Sequence, residues 1–476
     1  MRTAEELELD PGHPGPVFQA IADAIVRDIT RGRLAPGARL PGTRRLARAL
    51  SVHRNTVDAA YQELLTQGWL EARPSRGTFV AGDLPEAVLL PQPEVEDGAV
   101  VEGPAPGALA FSDGAPDPRL MPDRALARAF RRALCAPGFR AGSDYGDARG
   151  SAGLRAALSA HLAASRGVVA DPGRILVTRG SQMALFLAAR AALAPGDLVA
   201  VEEPGYPLAW EAFRAAGAEV RGFPIDAGGL DAAALAQALD TGLRLRAVYV
   251  TPHHQYPTTV TMGAARRLQL LELAQRHGLL IIEDDYDHDY RFEGRPVLPL
   301  AARAPLDQPL VYVGSLSKLL APGIRVGYAV APPALLGRMA AVRAAIDRQG
   351  DAPLENALAE LIRDGELGRH ARKARRVYRA RRDLLLAGLA AELGARVAVD
   401  APAGGLALWV RAQGGVSAED WAARAQAAGL SLLPGARFVL EAPAPEAFRL
   451  GYAALDEAQI ARAVARLAAS WPGARC

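Results

Sequence analysis

The sequence predicts an α/β protein in two unlike parts: a small basic helical module, then a large domain on a mainly parallel sheet. Three observations carry that expectation. Charge changes near residue 80: from Arg27 to Arg76 ten Arg stand against Asp28, Asp58, Glu63 and Glu71, a local excess of +6 in a chain whose formal net charge is only +3. From about residue 111 onward, short apolar runs alternate with long Ala-, Leu- and Arg-rich stretches, as expected of strands and helices in an α/β fold. Between them, residues 81–110 carry Pro85, Pro91, Pro93, Pro104 and Pro106 without helical or strand period, the composition of a linker. The expected division is therefore 1–80, 81–110 and 111–476.

In the first module, Val17, Ile21, Ala24, Ile25 and Ile29 mark one apolar face of a helix over Val17 to Thr30. Leu34-Ala35-Pro36-Gly37 stops it. A short helix follows from Thr43, a suitable N-cap, with Leu46, Ala47 and Leu50 apolar. Another begins near Arg54, where Val57, Ala60, Tyr61, Leu64 and Leu65 form a buried stripe and Arg54, Asn55 and Thr56 lie at the exposed end. Two short helices with a tight turn make a helix-turn-helix, whose second helix meets base edges with its N-terminal residues. Trp69 to Val80 then alternates about Arg73-Pro74-Ser75-Arg76-Gly77, a hairpin with a basic tip.

This order of helix, helix-turn-helix and basic wing resembles the winged-helix domain of GntR-type bacterial regulators over about residues 15 to 80. The matching words are Arg33-Leu34 through Pro36-Gly37-Ala38-Arg39-Leu40-Pro41, Arg54-Asn55-Thr56-Val57, and Gly77-Thr78-Phe79-Val80. The resemblance implies that Arg44, Arg45, Arg54, Asn55, Thr56, and the wing residues Arg73, Arg76 and Gly77 contact a double-stranded DNA operator. His53 stands where that family usually has a capping Ser.

In the large part, apolar runs end in polar clusters: Ile175 to Val177 before Thr178-Arg179-Gly180-Ser181-Gln182, Leu198 to Val201 before Glu202-Glu203-Pro204-Gly205-Tyr206, Val248 to Val250 before Thr251-Pro252-His253-His254-Gln255-Tyr256, Leu279 to Ile282 before Glu283-Asp284-Asp285-Tyr286, and Leu310 to Val313 before Gly314-Ser315-Leu316-Ser317-Lys318. Open α/β sheets bind ligands beyond the carboxyl ends of their strands, so these clusters should converge. The chain has only two lysines, Lys318 and Lys373, among 55 basic residues. An Arg-dominated chain leaves Lys where an amine's chemistry is needed, because a guanidinium stays protonated. Lys373 lies among seven Arg between Arg369 and Arg382 and reads as one more solvated charge. Lys318 lies between two strand-like runs and suits a Schiff base with a phosphorylated aldehyde cofactor.

Pyridoxal 5'-phosphate fits the remaining residues. Asp284 would face the ring nitrogen, Tyr286 the phenolic oxygen and Tyr206 the ring face. Ser181 and Gln182, opening a helix over Met183 to Leu193, would take the phosphate with Ser315, Ser317 and Arg325. The stretch Ser315 to Arg325 resembles the lysine motif of fold-type I aminotransferases, and that resemblance runs over about residues 111 to 468. Its other words are Tyr145-Gly146-Asp147 with Gly150, Glu203-Pro204-Gly205-Tyr206, Glu283-Asp284-Asp285-Tyr286 and Phe448-Arg449-Leu450-Gly451-Tyr452. It implies that Arg449 grips a ligand carboxylate, that Tyr145 reaches the cofactor phosphate of a partner subunit, and that the protein is a homodimer. One word departs: Asn-Pro-Thr-Gly is here Tyr256-Pro257-Thr258-Thr259.

A winged helix followed by an aminotransferase-like domain resembles the MocR subfamily of GntR regulators. It implies a transcriptional regulator that senses an amino compound, or the cofactor itself, through an aldimine at Lys318. The alternative is a working aminotransferase with an accessory DNA-binding module. Cys135 and Cys476 make no cysteine metal site, the acidic start is unlike a signal peptide, and no apolar run approaches the roughly 18 residues of a membrane span, so a cytoplasmic protein without membrane or metal partners is expected.

Overall fold

The computed structural model describes residues 15–30, 32–82, 108–136, 145–294, 297–304 and 308–473. The chain divides into two compact units, Met1–Gly103 and Pro104–Cys476. Most of the expected linker, 83–107, and Cys476 lie outside the described residues.

In the first unit, α1 (Val17–Thr30) packs Ile21, Ala24, Ile25 and Ile29 against α2 (Thr43–Ala49) and α3 (Arg54–Thr66). Val17, expected on that face, is 52% exposed. Leu46 and Ala47 of α2 are buried, and Tyr61 of α3 holds the segment leading into α2 by donating to the Pro41 carbonyl at 2.8 Å. Thr43 is the first helical residue of α2 rather than its cap, which is Gly42. His53 caps α3: its Nδ1 accepts from the Asn55 N–H at 3.2 Å, so an imidazole satisfies the orphan donor that a hydroxyl would otherwise take. Leu65 stays half-buried at the edge of the stripe. β1 (Leu70–Arg73) and β2 (Gly77–Val80) form the expected antiparallel hairpin, from Leu70 opposite Val80 to Arg73 opposite Gly77.

The second unit begins with β3 (Leu109–Ala110), the end of the expected linker, which pairs parallel with a short strand at Leu430–Ser431. The five apolar runs read from sequence are β4 (Ile175–Thr178), β5 (Leu198–Glu203), β8 (Leu245–Val250), β9 (Leu280–Asp285) and β10 (Leu310–Ser315). They belong to one eight-stranded sheet of order β4-β11-β10-β9-β8-β5-β6-β7, completed by β6 (Glu219–Asp226), β7 (Gly229–Leu230) and β11 (Gly327–Val330). β7 and β11 run antiparallel to their neighbours and the rest run parallel.

Side chains alternate along each strand, so a sheet covered on both faces needs apolar residues at every position. Val199, Tyr249, Ile282, Val311 and Val313 join one apolar cluster, with helices Ser181–Ala192, Pro207–Ala215 and Pro333–Ile346. Ile175, Val177, Ala200, Val248, Val250, Ile281 and Tyr312 join the other, with Ala152–Arg166, Ala264–His277 and Glu366–Glu392. Beyond the large sheet the chain builds a four-stranded antiparallel one from Val397–Val399, Ala407–Ala412, Leu433–Pro434 and Ala447–Gly451, and the last strand carries Arg449. Among the described residues, no helix is long and apolar enough to cross a membrane.

The basic stretch from Arg369 to Arg382 differs from the solvated face expected of it. Lys373 is exposed, but Arg381 and Arg382 are buried: Arg381 pairs with Asp117 at 2.8 Å and Arg382 with Glu293 at 2.6 Å. Arg375 donates to the Asp289 carbonyl.

Candidate functional site

Parallel strands place their carboxyl ends side by side, and there Lys318, Asp284, Tyr286, Tyr206, Ser181, Ser315, Ser317 and Arg325 line one cavity of about 170 Å³. Lys318 stands in the turn after β10. Its Nζ donates to the carbonyls of Asp113 at 3.1 Å and Gly114 at 3.2 Å. Desolvation lowers its pKa, the Asp113 charge partly opposing and Arg449 reinforcing the shift. A lowered pKa is what a nucleophilic amine requires.

Asp284, fully buried on β9, accepts from the Tyr249 hydroxyl at 3.1 Å through Oδ2, while Oδ1 has no partner. Burial pushes its carboxyl up to about 7, with Tyr249 opposing and the Asp285 and Asp287 charges adding. Asp285 points to the other face. Burial opposes its ionisation, but His288 and Arg166 hold it well below the usual carboxylate range, and His288 Nδ1 lies 3.0 Å from its Oδ2. His253 completes a buried cluster with Asp285 and His288 whose ligand-type atoms lie within 4.8 Å. The rings of His253 and His288 lie 4.5 Å apart at 36°, so the cluster is a buried carboxylate beside two packed imidazoles.

Beside the cavity residues Ser181 and Arg325, Gly180 precedes helix Ser181–Ala192 with φ +80, and a Cβ there would meet the Arg325 guanidinium at 3.1 Å. Only glycine lets the Arg and the helix N-terminus approach one another. Arg325, itself at φ +50, donates to the Arg179 carbonyl at 3.0 Å. The buried Ser317 Oγ has no partner. A guanidinium, a helix N-terminus, hydroxyls, a partnerless carboxylate oxygen and an amine around one cavity are a donor set that fits a phosphorylated pyridine aldehyde.

Other expected residues stand outside the lining or are engaged differently from what was expected. Gln182 Nε2 donates to the Leu208 carbonyl at 2.5 Å, and its side chain is outside the cavity lining. Tyr286 lines the cavity, yet its hydroxyl donates to the His254 carbonyl at 3.0 Å. Tyr206 meets Tyr256 edge-on, with centroids 4.8 Å apart. Tyr145 is 64% exposed, with the Arg348 guanidinium 3.6 Å from its ring centroid, and is outside the lining. Arg449 is buried, its Nε 3.0 Å from Asp113 Oδ1 and one Nη donating to the Pro257 carbonyl at 2.9 Å.

Asp113, Tyr249, Thr251, Tyr256 and Pro322 line the cavity without having been singled out as site residues. Tyr256 and Thr251 stand in a strand-end cluster already noted, so position alone was their available signal. Tyr256, where the aminotransferase word has Asn, donates to Asp113 Oδ1 at 2.7 Å and lies beneath the Arg449 guanidinium, 4.4 Å from its centroid. Thr259, where that word has Gly, keeps the left-handed backbone at φ +65, uncommon for a β-branched residue.

In the small unit, Arg44, Arg45, Arg54, Asn55, Arg73, Arg76 and Gly77 are exposed, with Thr56 half-buried. Arg54 pairs with Asp58 at 3.3 Å along α3. Arg73 is held by Glu71 at 2.5 Å and lies 4.6 Å over Phe79, which orients the wing tip. Exposed Arg39, within a matching word but not among the expected DNA contacts, bridges Phe79, and its Nε lies 3.4 Å from where a Cβ on Gly77 would be.

Residues 113–467 match the family described as aminotransferase class I and II, and residues 18–80 match the gntR family of bacterial regulatory proteins. The chain is 32% identical to the probable rhizopine catabolism regulatory protein MocR of Rhizobium meliloti, over 94% of this chain and 92% of that protein. It is 33% identical to the transcriptional regulator TauR of Rhodobacter capsulatus, over 98% of each. Among solved structures it resembles the α-aminoadipate aminotransferase LysN of Thermus thermophilus, complexed with N-(5'-phosphopyridoxyl)-L-leucine. That likeness has a TM-score of 0.70 at 32% identity and covers 77% of this chain and 92% of that one. A winged helix-turn-helix and a fold-type I aminotransferase-like unit in one chain define a DNA-binding regulator built on an enzyme fold. The chain belongs to the MocR subfamily of GntR-type transcriptional regulators.

Proposed function

We propose that this regulator holds pyridoxal 5'-phosphate on Lys318 and changes its operator binding when a small amino compound, or the cofactor itself, occupies the cavity. The observation that carries this reading is the amine of Lys318 in a cavity with the Asp284 carboxylate and the Gly180–Ser181–Arg325 anion cup. When bound, the cofactor supplies a carbonyl that exchanges amines and a protonated ring that withdraws electrons. Asp284 keeps a proton on the ring nitrogen, Ser181, Ser315, Ser317 and Arg325 take the phosphate, and Tyr206 and Tyr286 wall the ring. Arg449 faces a ligand carboxylate. Tyr145 is exposed and outside the cavity lining, which supports the homodimer that its resemblance implies, with two winged helices presented to a repeated operator.

The test follows the visible absorbance of the cofactor-loaded protein and its operator affinity together while candidate amines are added. The band should vanish in Lys318→Ala, and operator affinity should move with the band. Only a ligand that distinguishes two arrangements can shift their balance. An operator affinity indifferent to cofactor and to every amine, with rapid multiple-turnover transamination, would replace this reading with the enzyme one. The retained Lys318, Asp284 and Arg449 favour that second reading. The Tyr256 replacement counts against it, since no Asn steadies the ring oxygen.

A further inference from the structure

Arg449 does not wait empty for a ligand. We infer that Asp113 sets the ligand specificity of the cavity by occupying Arg449 as an internal carboxylate, which a ligand carboxylate has to displace. This rests on the proposed reading of the cavity as an amine-ligand site. Three features carry it.

The first is an asymmetry of burial. The Arg449 side chain is 1% exposed and the Asp113 side chain 43%. A buried guanidinium needs a counter-charge in every state, because an unpaired buried charge is costly. A carboxylate that is nearly half exposed leaves for water cheaply. Asp113 is therefore the exchangeable member of the pair.

The second is that a single oxygen serves several donors. Asp113 Oδ1 accepts from Arg449 Nε at 3.0 Å and from the Tyr256 hydroxyl at 2.7 Å, the Tyr256 ring itself lying under the guanidinium. A ligand carboxylate placed there inherits the same two donors. Tyr256, which replaces the Asn of the aminotransferase word, thus serves the carboxylate position.

The third is that the same residue holds the reactive amine. The carbonyls of Asp113 and Gly114 accept from Lys318 Nζ, so one short segment contacts both the amine that a ligand's amine would displace and the guanidinium that would receive its carboxylate. Gly114, at φ +67, brings that segment against Leu406 and the Arg449 guanidinium, each 3.3 Å from where a Cβ would stand.

The consequence is a specificity rule. A ligand with an amine and a carboxylate gains from Arg449 only by as much as it outcompetes Asp113. An amine without a carboxylate leaves the pair intact and incurs no such competition. Asp113 thereby narrows the preference for amino acids over plain amines.

The experiment compares wild type, Asp113→Asn and Asp113→Ala as full-length, cofactor-loaded protein, with three probes: propionate (carboxylate only), ethylamine (amine only) and L-alanine (both). Propionate binding by calorimetry should tighten tenfold or more in both variants, and L-alanine should tighten in parallel by the shift of the visible band. Ethylamine should change less than threefold. The variants' melting temperature should fall and be restored by propionate, which a purely structural Asp113 would not give. Adding Arg449→Gln should abolish the propionate gain. Propionate binding that is unchanged or weaker in the variants overturns the inference. If no amine moves the visible band in any form, the amine-ligand reading fails, while the propionate arm still decides whether Asp113 shields Arg449.

Discussion

Replacing Asp284 by Asn tests the electrostatic centre of the site with almost no change of shape. Asn keeps an oxygen for the Tyr249 hydroxyl, 3.1 Å from Oδ2, and puts its amide at Oδ1, which has no partner. What it removes is a charge. Burial raises the Asp284 carboxyl from 3.8 to about 7, so without a cationic partner the ionised form is disfavoured at neutral pH. A protonated ring nitrogen supplies that partner, and a hydrogen bond to a charged, buried group contributes about 2 to 3 kcal/mol. Asp284→Asn should therefore weaken pyridoxal phosphate binding by a factor on the order of 30 to 150. The assay is the dissociation constant from cofactor absorbance at equilibrium, measured from pH 6 to 8. The difference between wild type and variant should widen as pH rises through about 7, where Asp284 ionises more readily. A variant within threefold of wild type at every pH would sink the assignment of Asp284 to the ring nitrogen.

Gly180→Ala should cost about 1 to 2 kcal/mol in urea unfolding and weaken cofactor binding, because φ +80 is strained for Ala and its Cβ would meet Arg325 at 3.1 Å; wild-type values for both would contradict the cup. Glu202→Gln probes a buried carboxyl pushed to about 7 by desolvation, with Thr251 and Gln255 opposing. A raised folded pKa gives stability that is fully present below the unfolded value of 4.5 and lost as pH rises through 7. The variant, which keeps the Thr251 bonds, should therefore gain on wild type between pH 5 and 8 by up to about 3 kcal/mol, read from urea midpoints. On DNA, Arg54→Ala should relax specificity at one base pair by about 1 to 3 kcal/mol, while Arg76→Ala should weaken matched and scrambled operators alike and flatten the salt dependence. Equal behaviour of the two on both operators would refute that division.

Much of the fold was legible because its signals are local. The five strands read from apolar runs carry apolar residues at successive positions, the signature of burial on both faces, and α1 and α3 carry apolar stripes that fall in one core. The pairing of the short strands was not legible: nothing local sets β11, the run after Lys318, antiparallel between β4 and β10, and Leu433–Pro434 has only two residues. Lys318 and Asp284 were legible through residue type and strand-end position. The two lysines also separated as expected, one into a cavity lining and one onto an exposed helix face. The arginines did not follow from composition. Nothing local distinguishes exposed Arg379 from buried Arg381, which meets Asp117 only because the chain folds back over 264 residues.

The same reasoning explains why Arg449 could be identified while its state could not. A strand word names the residue, but its partner Asp113 lies 336 residues earlier, in a segment with no regular period. The pair exists only because the antiparallel sheet carrying Arg449 returns its last strand to Ser112, whose carbonyl accepts from the Gly451 N–H at 3.0 Å. That return sets Asp113 one residue beyond a fixed backbone bond, close enough to neutralise Arg449 and exposed enough to leave it. A carboxylate site in a catalytic aminotransferase gains from standing ready for every substrate. In a regulator, a site held by its own carboxylate responds only when ligand is abundant enough to displace it. On the proposed reading of Arg449, Asp113 is the residue at which this chain's use of an enzyme fold can be separated from the enzyme's own.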